Sequence, residues 1–130
     1  MNSAWPALIT LLTVVLMIGT AMLVGKARGK YGVKAPASSG HPMFDRAFRV
    51  QMNTIEGALM FLPALWVCAL WGNGTVVIVA GVLWLLGRVH YAYSYMRDPA
   101  KRGPGFGVCF LAIVALLIGG AIGLVRALLG

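Results

Sequence analysis

The stretch that decides the fold is Arg49-Val50-Gln51-Met52-Asn53-Thr54-Ile55-Glu56, a polar octet followed directly by an apolar run. That run, residues 57–71, is only 15 residues long. A helix needs about 20 residues to cross the hydrocarbon layer of a membrane. The span must therefore include the octet, and ionisable groups at such a depth usually mark a functional site.

Composition indicates one integral membrane domain that covers residues 1–130. Of the 130 residues, 60% are hydrophobic, which is more apolar sequence than a soluble core absorbs. Four segments are long enough to span a membrane, approximately residues 4–25, 45–71, 75–97 and 104–127. We expect an all-α membrane protein, a bundle of four transmembrane helices that run alternately up and down.

The basic residues follow membrane topology. The net charge is +8, and ten of the eleven lysines and arginines lie in or beside the first and third connections. The turn Gly72-Asn73-Gly74 between the middle helices has none. The positive-inside rule therefore places both basic loops in the cytoplasm and both termini on the non-cytoplasmic side. Because these charges form no soluble patch, we expect no nucleic-acid partner.

Several other features carry no predicted chemistry. The first apolar segment is not expected to be a cleavable signal, since no basic region precedes it. Cys68 and Cys109 lie in apolar spans far from any Cys/His cluster, so we expect neither a disulfide nor a metal site. Asp45 is expected to cap the second helix, and His41 to be an ordinary loop residue.

Helical spacing places three polar residues of the octet on one face of the second helix. At 100° per residue, Asn53 lies about 40° and Glu56 about −20° from Arg49, whereas Gln51 lies about 200° away. On the third helix, Arg88, Tyr91 and Tyr95 share a face by their i, i+3, i+7 spacing. The two faces together predict a polar cavity between the helices.

The opposite face of the third helix carries His90, Tyr93 and Arg97. An aromatic belt with a snorkelling arginine explains these three residues. Arg88 lies too deep for that explanation, and we expect it to pair with Glu56 on the adjacent helix.

Once Arg88 is paired with Glu56, the arginines Arg49, Arg102 and Arg28 have no counter-charge. They indicate a cationic cavity that is open to lipid. Arginine suits carboxylates because its planar fork makes two contacts at once. It can also stabilise a thiolate. The predicted ligands are therefore a small anion with several carboxylates and an apolar reactant that is dissolved in the membrane.

This pattern closely resembles the MAPEG family, the membrane-associated proteins of eicosanoid and glutathione metabolism. The resemblance rests on Arg-x-Gln-x-Asn-x-x-Glu at residues 49–56, on residues 61–66, and on Arg-x-x-Tyr-x-x-x-Tyr at residues 88–95. It covers nearly the whole chain. The chain length and the turn at residues 97–105 resemble the prokaryotic branch, which implies a bacterial inner-membrane protein.

The resemblance implies a homotrimer with glutathione, as co-substrate, bound between neighbouring subunits. By it, one protomer would contribute Arg49, Asn53, Glu56, Tyr91 and Tyr95 to the site. The neighbouring subunit would contribute Gln51 and Arg28. Arg102 would be catalytic, stabilising the glutathione thiolate.

Two positions depart from the family pattern. Gly57 stands where several relatives have a tyrosine, and Gly29 where the synthases have a second arginine. These departures argue against a specialised leukotriene synthase.

The sequence supports three functional interpretations. The first is a glutathione S-transferase, with glutathione peroxidase activity as a further option, that acts on hydrophobic electrophiles or lipid hydroperoxides in detoxification. The second is a non-catalytic lipid- or thiol-binding module of the same fold. The third, a small multidrug-type transporter, is disfavoured by the arginines beside Glu56.

Overall fold

A computed structural model of the chain describes residues 2–130. Its helices are α1 (Ala4–Tyr31), α2 (Pro42–Trp71), α3 (Gly74–Arg97) and α4 (Gly103–Leu129), and a 3₁₀ turn (Pro99–Arg102) precedes α4. Each of the four is long and apolar enough to cross a membrane. No β-strand occurs in residues 2–130. The predicted four-helix membrane bundle is confirmed.

The first helix continues beyond the end of its apolar run. We expected an end near residue 25, but α1 extends to Tyr31, because Lys26 to Lys30 are mostly good helix formers that need no lipid. The helix ends at Gly32, whose φ of 68° is a left-handed conformation. Glycine adopts this conformation without a steric penalty.

The second helix begins earlier than predicted, and a different residue caps it. Pro42 occupies the first turn, and the ring nitrogen Nδ1 of His41 accepts a hydrogen bond from the Met43 amide at 3.1 Å. Asp45 lies inside the first turn, where its carboxylate accepts from the Gly40 amide at 3.2 Å. The predicted Asp45 cap is therefore wrong, since Pro42 starts the helix one turn earlier. His41 also stacks on Tyr31 at 4.1 Å, so it closes the first loop.

The turn between α2 and α3 is as short as predicted. Asn73 caps α3, and its side-chain oxygen accepts hydrogen bonds from the amides of Thr75 at 2.8 Å and Val76 at 3.3 Å. These bonds satisfy donors that a helix start leaves free. The two helices consequently run antiparallel and adjacent.

The core of the bundle is apolar and includes one large aromatic stack. Phe61 of α2 and Trp84 of α3 lie parallel, with ring centroids 4.0 Å apart, and both are fully buried. Trp66 of α2 donates a hydrogen bond to the Thr10 hydroxyl of α1 at 3.0 Å. Most outward-facing side chains on all four helices are large hydrophobics, as expected for surfaces that face lipid.

Glycines bring α4 close to the two middle helices. Gly105 lies against the backbone of Gly87 and Tyr91 on α3. Near the other end, Gly119 faces the Cys68 sulfur, and Gly123 lies directly against the Trp71 carbonyl. These small residues of α4 therefore pack within the chain, where they allow close backbone contact in place of side-chain bulk.

Adding a side chain where Gly123 packs against α2 should destabilise the bundle. In Gly123→Ala, the added methyl group would overlap the Trp71 carbonyl oxygen, and overpacking of this kind costs about 1–3 kcal/mol. Gly107→Ala on the same helix is the matched control, since a Cβ at that position meets nothing within 4 Å. Thermal unfolding in detergent should give a clearly lower Tm for Gly123→Ala than for Gly107→Ala. Equal Tm values would contradict the close packing of α4 on α2.

Candidate functional site

The start of α2 is tied to the end of α3 at the end of the bundle that carries the basic loops. The Arg46 guanidinium donates hydrogen bonds to the backbone carbonyls of Met96 at 3.0 Å and Arg97 at 3.2 Å. The last carbonyls of a helix have no partner within the helix, so this contact satisfies two of them. It also fixes the register of the polar octet relative to α3.

A hydrogen-bonded chain connects the two polar faces. Arg49 donates to the side-chain oxygen of Asn53 at 3.4 Å, and the Asn53 amide nitrogen donates to the Tyr91 hydroxyl. Tyr91 is only 2% exposed. Tyr95 lies one turn further along α3, with its ring centroid 5.6 Å from that of Tyr91. The faces predicted from helical spacing thus meet at Asn53 and Tyr91.

Arg88 is buried between α2 and α3. It is 4% exposed, and it donates one hydrogen bond, to the backbone carbonyl of Asn53 at 3.3 Å. Its guanidinium carbon lies 4.9 Å from the centroid of the Tyr91 ring, in cation–π contact. The Nε atom has no hydrogen-bond partner.

The predicted ion pair between Arg88 and Glu56 is absent from the single chain. Glu56 is exposed, and Arg88 turns instead towards Gly57, where an added Cβ would lie 3.1 Å from Nη2. The missing side chain of Gly57 makes room for the guanidinium beside the helix backbone. The pairing was inferred from depth alone, and depth does not give the direction in which a long side chain extends.

A cavity of about 390 Å³ lies beside these residues. Eight residues from α2, α3, the 3₁₀ turn and α4 line it: Asn53, Glu56, Gly57, Met60, Arg88, Tyr91, Arg102 and Phe106. Arg102 is exposed, and its guanidinium donates to the Pro99 carbonyl at 3.2 Å. Two guanidinium groups and one carboxylate therefore give the cavity a net positive charge.

Some of the predicted site residues lie outside this cavity. Arg49 contacts the lining residue Asn53, and Tyr95 contacts the lining residue Tyr91, but neither lines the cavity itself. Gln51 lies on the other face of α2, and Arg28 donates to the Ala37 carbonyl of the first loop at 2.7 Å.

Three lining residues were not identified from the sequence as site residues: Gly57, Met60 and Phe106. Met60 follows Glu56 by one helical turn, so helical spacing could have identified it. Phe106 carried no comparable signal, because its place depends on how closely α4 packs on α3.

The fold and the cavity define an integral membrane protein with a cationic site near one end of a four-helix bundle. The chain belongs to the MAPEG family, whose model matches residues 6–122. The resemblance inferred from the sequence is thereby confirmed.

The chain is similar to named proteins of several organisms. The chain is 35% identical over 109 residues to microsomal glutathione S-transferase 2 of Bos taurus, covering 84% of this chain and 75% of the relative. It is 34% identical over 101 residues to leukotriene C4 synthase of Rattus norvegicus, covering 78% and 67%. It is also 44% identical over 115 residues to an uncharacterised protein of Synechocystis, covering 88% and 84%.

The buried charge of Arg88 should contribute little to stability. A buried charge without a counter-ion is costly unless hydrogen bonds offset it, and Arg88 makes one hydrogen bond, so Arg88→Met should leave the Tm unchanged or raise it. Arg46→Met should lower the Tm, because it removes two interhelical hydrogen bonds from a charged donor, at about 1.5–3 kcal/mol each. Thermal unfolding of the two variants measures the difference. A large loss of stability in Arg88→Met alone would make Arg88 a structural residue.

Proposed function

We propose that this protein is a membrane-bound glutathione S-transferase that conjugates the glutathione thiolate to hydrophobic electrophiles. Its family and its named relatives support a glutathione-using membrane enzyme as the general class. The observation that carries the finer proposal is a cationic cavity that adjoins an apolar groove. The two reactants of such an enzyme, one ionic and one apolar, need both environments at the same place.

The charges of the cavity fit the ionic reactant. Glutathione has two carboxylates, one ammonium group and a thiol. Within residues 2–130, Arg88 has an unpartnered Nε atom and no carboxylate partner, and Arg49 donates a hydrogen bond to Asn53, which lines the cavity. In the proposal these arginines bind the carboxylates. Glu56, the single acid in the cavity, binds the ammonium group.

The apolar groove fits the second reactant. It has a volume of about 500 Å³, lies between α2 and α4, and is lined almost entirely by apolar atoms from residues such as Leu59, Pro63, Ile113 and Leu117. Met60 lines both this groove and the cationic cavity. A hydrophobic electrophile from the bilayer can therefore approach the bound thiol without crossing water, which favours reaction through proximity.

Arg102 is the proposed catalytic residue. An unperturbed thiol has a pKa of about 8.5, and lowering it to about 6.5 needs roughly 2.7 kcal/mol of preferential stabilisation of the thiolate. A guanidinium group placed beside the sulfur in a partly desolvated cavity supplies an interaction of that size. The thiolate then attacks the electrophile, whose leaving group or opened ring accepts the electron pair.

The proposed assembly is a homotrimer, with Arg28 and Gln51 of one subunit contributing to the cavity of the next. Both side chains lie away from the cavity of their own chain, which such an arrangement requires. The proposed location is a bacterial inner membrane, with both basic loops in the cytoplasm and both termini on the other side.

The ultraviolet absorbance of the thiolate tests the catalytic proposal. Glutathione added to the purified protein should give a saturable thiolate difference spectrum at neutral pH, and Arg102→Ala should abolish it. Lys101→Ala is the matched control, because this neighbouring base is exposed and does not line the cavity; its spectrum should remain. Saturable binding without thiolate in the unmodified protein would favour a non-catalytic thiol-binding module.

A second test concerns Arg49, which the proposal assigns to binding a carboxylate of glutathione. Arg49→Ala removes a charged donor of the kind that contributes about 1.5–3 kcal/mol, so the glutathione Kd from equilibrium dialysis should rise about 10- to 100-fold. The control Lys30→Ala, an exposed base in the last turn of α1, should change the Kd less than about twofold. An unchanged Kd in Arg49→Ala would refute the role assigned to Arg49.

A further inference from the structure

A second groove lies between α3 and α4 and is separate from the cavity described above. It consists of two adjoining depressions of about 520 and 270 Å³, which share Leu83 and Val108. Its walls are apolar, with Val79 and Leu86 on α3 and Leu111 on α4. We call it the α3–α4 groove. It has no residue in common with the cationic cavity.

The α3–α4 groove ends in polar side chains where α3 ends. His90 lines the last part of the groove. One turn further, Ser94 lies 3.5 Å from the Nδ1 atom of His90, and then comes Arg97, which donates to the hydroxyl of Tyr93. Leu83, His90, Ser94 and Arg97 fall within about 60° on one face of the helix. This face changes from apolar to cationic along its length.

Arg97 has no anionic partner in the described chain, residues 2–130. Of its five guanidinium N–H donors, one is used by the Tyr93 hydroxyl. Asp98 is the next residue, but its carboxylate accepts a hydrogen bond from the Ala100 amide at 3.0 Å and caps the 3₁₀ turn. The end of the groove is therefore positively charged and has free donors.

We propose that the α3–α4 groove binds one anionic phospholipid. An acyl chain lies along the apolar part of the groove. The phosphate accepts hydrogen bonds from Arg97 and from the Ser94 hydroxyl or the His90 ring beside it. From His90 to Thr75 the groove follows α3 for roughly 22 Å, at 1.5 Å per residue. One leaflet is half of a hydrocarbon core about 30 Å thick, so the groove is long enough for an acyl chain that spans its leaflet.

The shape of the groove favours a lipid over a free anion. The cationic end is continuous with an apolar trough, so a ligand that fills both must carry a charged head on an apolar chain. Charge complementarity selects an anionic headgroup over a zwitterionic one. The site is independent of the proposed transferase activity, because it shares no residue with the cationic cavity.

Native mass spectrometry of the purified full-length protein tests this site. The probes are phosphatidylglycerol and phosphatidylcholine with identical palmitoyl and oleoyl chains. Phosphatidylglycerol should bind with a stoichiometry of one per chain and at least fivefold more tightly. Arg97→Gln should weaken it about fivefold, the effect of one basic residue at a membrane surface, and leave phosphatidylcholine binding unchanged.

Two controls keep the result interpretable. Lys34→Gln removes the same charge from the first loop, where the side chain is exposed, and should change phosphatidylglycerol binding less than twofold. Leu83→Ala should weaken both lipids, because it shortens a wall of the trough. Circular dichroism should show equal helix content in all variants, since the Arg97 guanidinium contacts the exposed Tyr93 and the bond from Arg46 goes to the Arg97 backbone, which the substitution leaves in place.

Four results would overturn the proposal. Equal effects of Arg97→Gln and Lys34→Gln would mean that general charge attraction holds the lipid. Equal affinity for the two lipids would remove the charge selection. Displacement of the lipid by inorganic phosphate at matched concentration would identify a free-anion site. A change in the number of chains per particle in Arg97→Gln would identify the groove as an interface between copies.

Discussion

The site depends on one guanidinium group that is buried without a carboxylate. Arg88 is held by the Asn53 carbonyl, by the face of Tyr91, and by the space that Gly57 leaves open. Burying a charge in this way is costly unless hydrogen bonds or an opposite charge offset it. The chain supplies one hydrogen bond and leaves Nε without a partner. The protein thus retains a positive charge beside a cavity at a depth where stability alone would favour an apolar residue.

Close helix packing determines the position of Arg102, the second guanidinium group of the cavity. Gly105 lies against the backbone of α3 at Gly87 and Tyr91, so the start of α4 lies directly beside the third helix. The 3₁₀ turn is only four residues long, and it must therefore deliver Arg102 to the same side as Tyr91. A larger side chain at position 105 would widen this seam and move Arg102 and Phe106 together. The glycines on α4 thus position the site as well as stabilising the bundle.

The sequence predicts much of this fold because the membrane imposes it. Apolar length identifies four spans, and a period of 3.6 residues puts Asn53 and Tyr91 on faces that meet in the structure. Two features depend on information that helical periodicity lacks. The direction of Arg88 is decided by the empty space at Gly57, and Phe106 reaches the cavity through tertiary packing. The start of α2 was misjudged because a carboxylate suggested the cap, whereas His41 and Pro42 provide it. The roles assigned to the site residues remain predictions, since no contact in a single chain tests them.

The exposure of Arg102 bears on how the proposed chemistry would work. A guanidinium group in water interacts weakly with a thiolate, about 1 kcal/mol at 4 Å, and the interaction is several times stronger where the effective dielectric constant is near 20. Within one chain Arg102 is exposed, and the cavity is bounded only by α2, α3, the 3₁₀ turn and α4. Lowering a thiol pKa by about two units therefore needs a further wall that excludes water. In the proposed trimer, the adjacent subunit supplies that wall, together with Arg28 and Gln51. Catalysis by Arg102 and assembly of the subunits are then one requirement, because the isolated chain has the charge but lacks the desolvation that makes it effective.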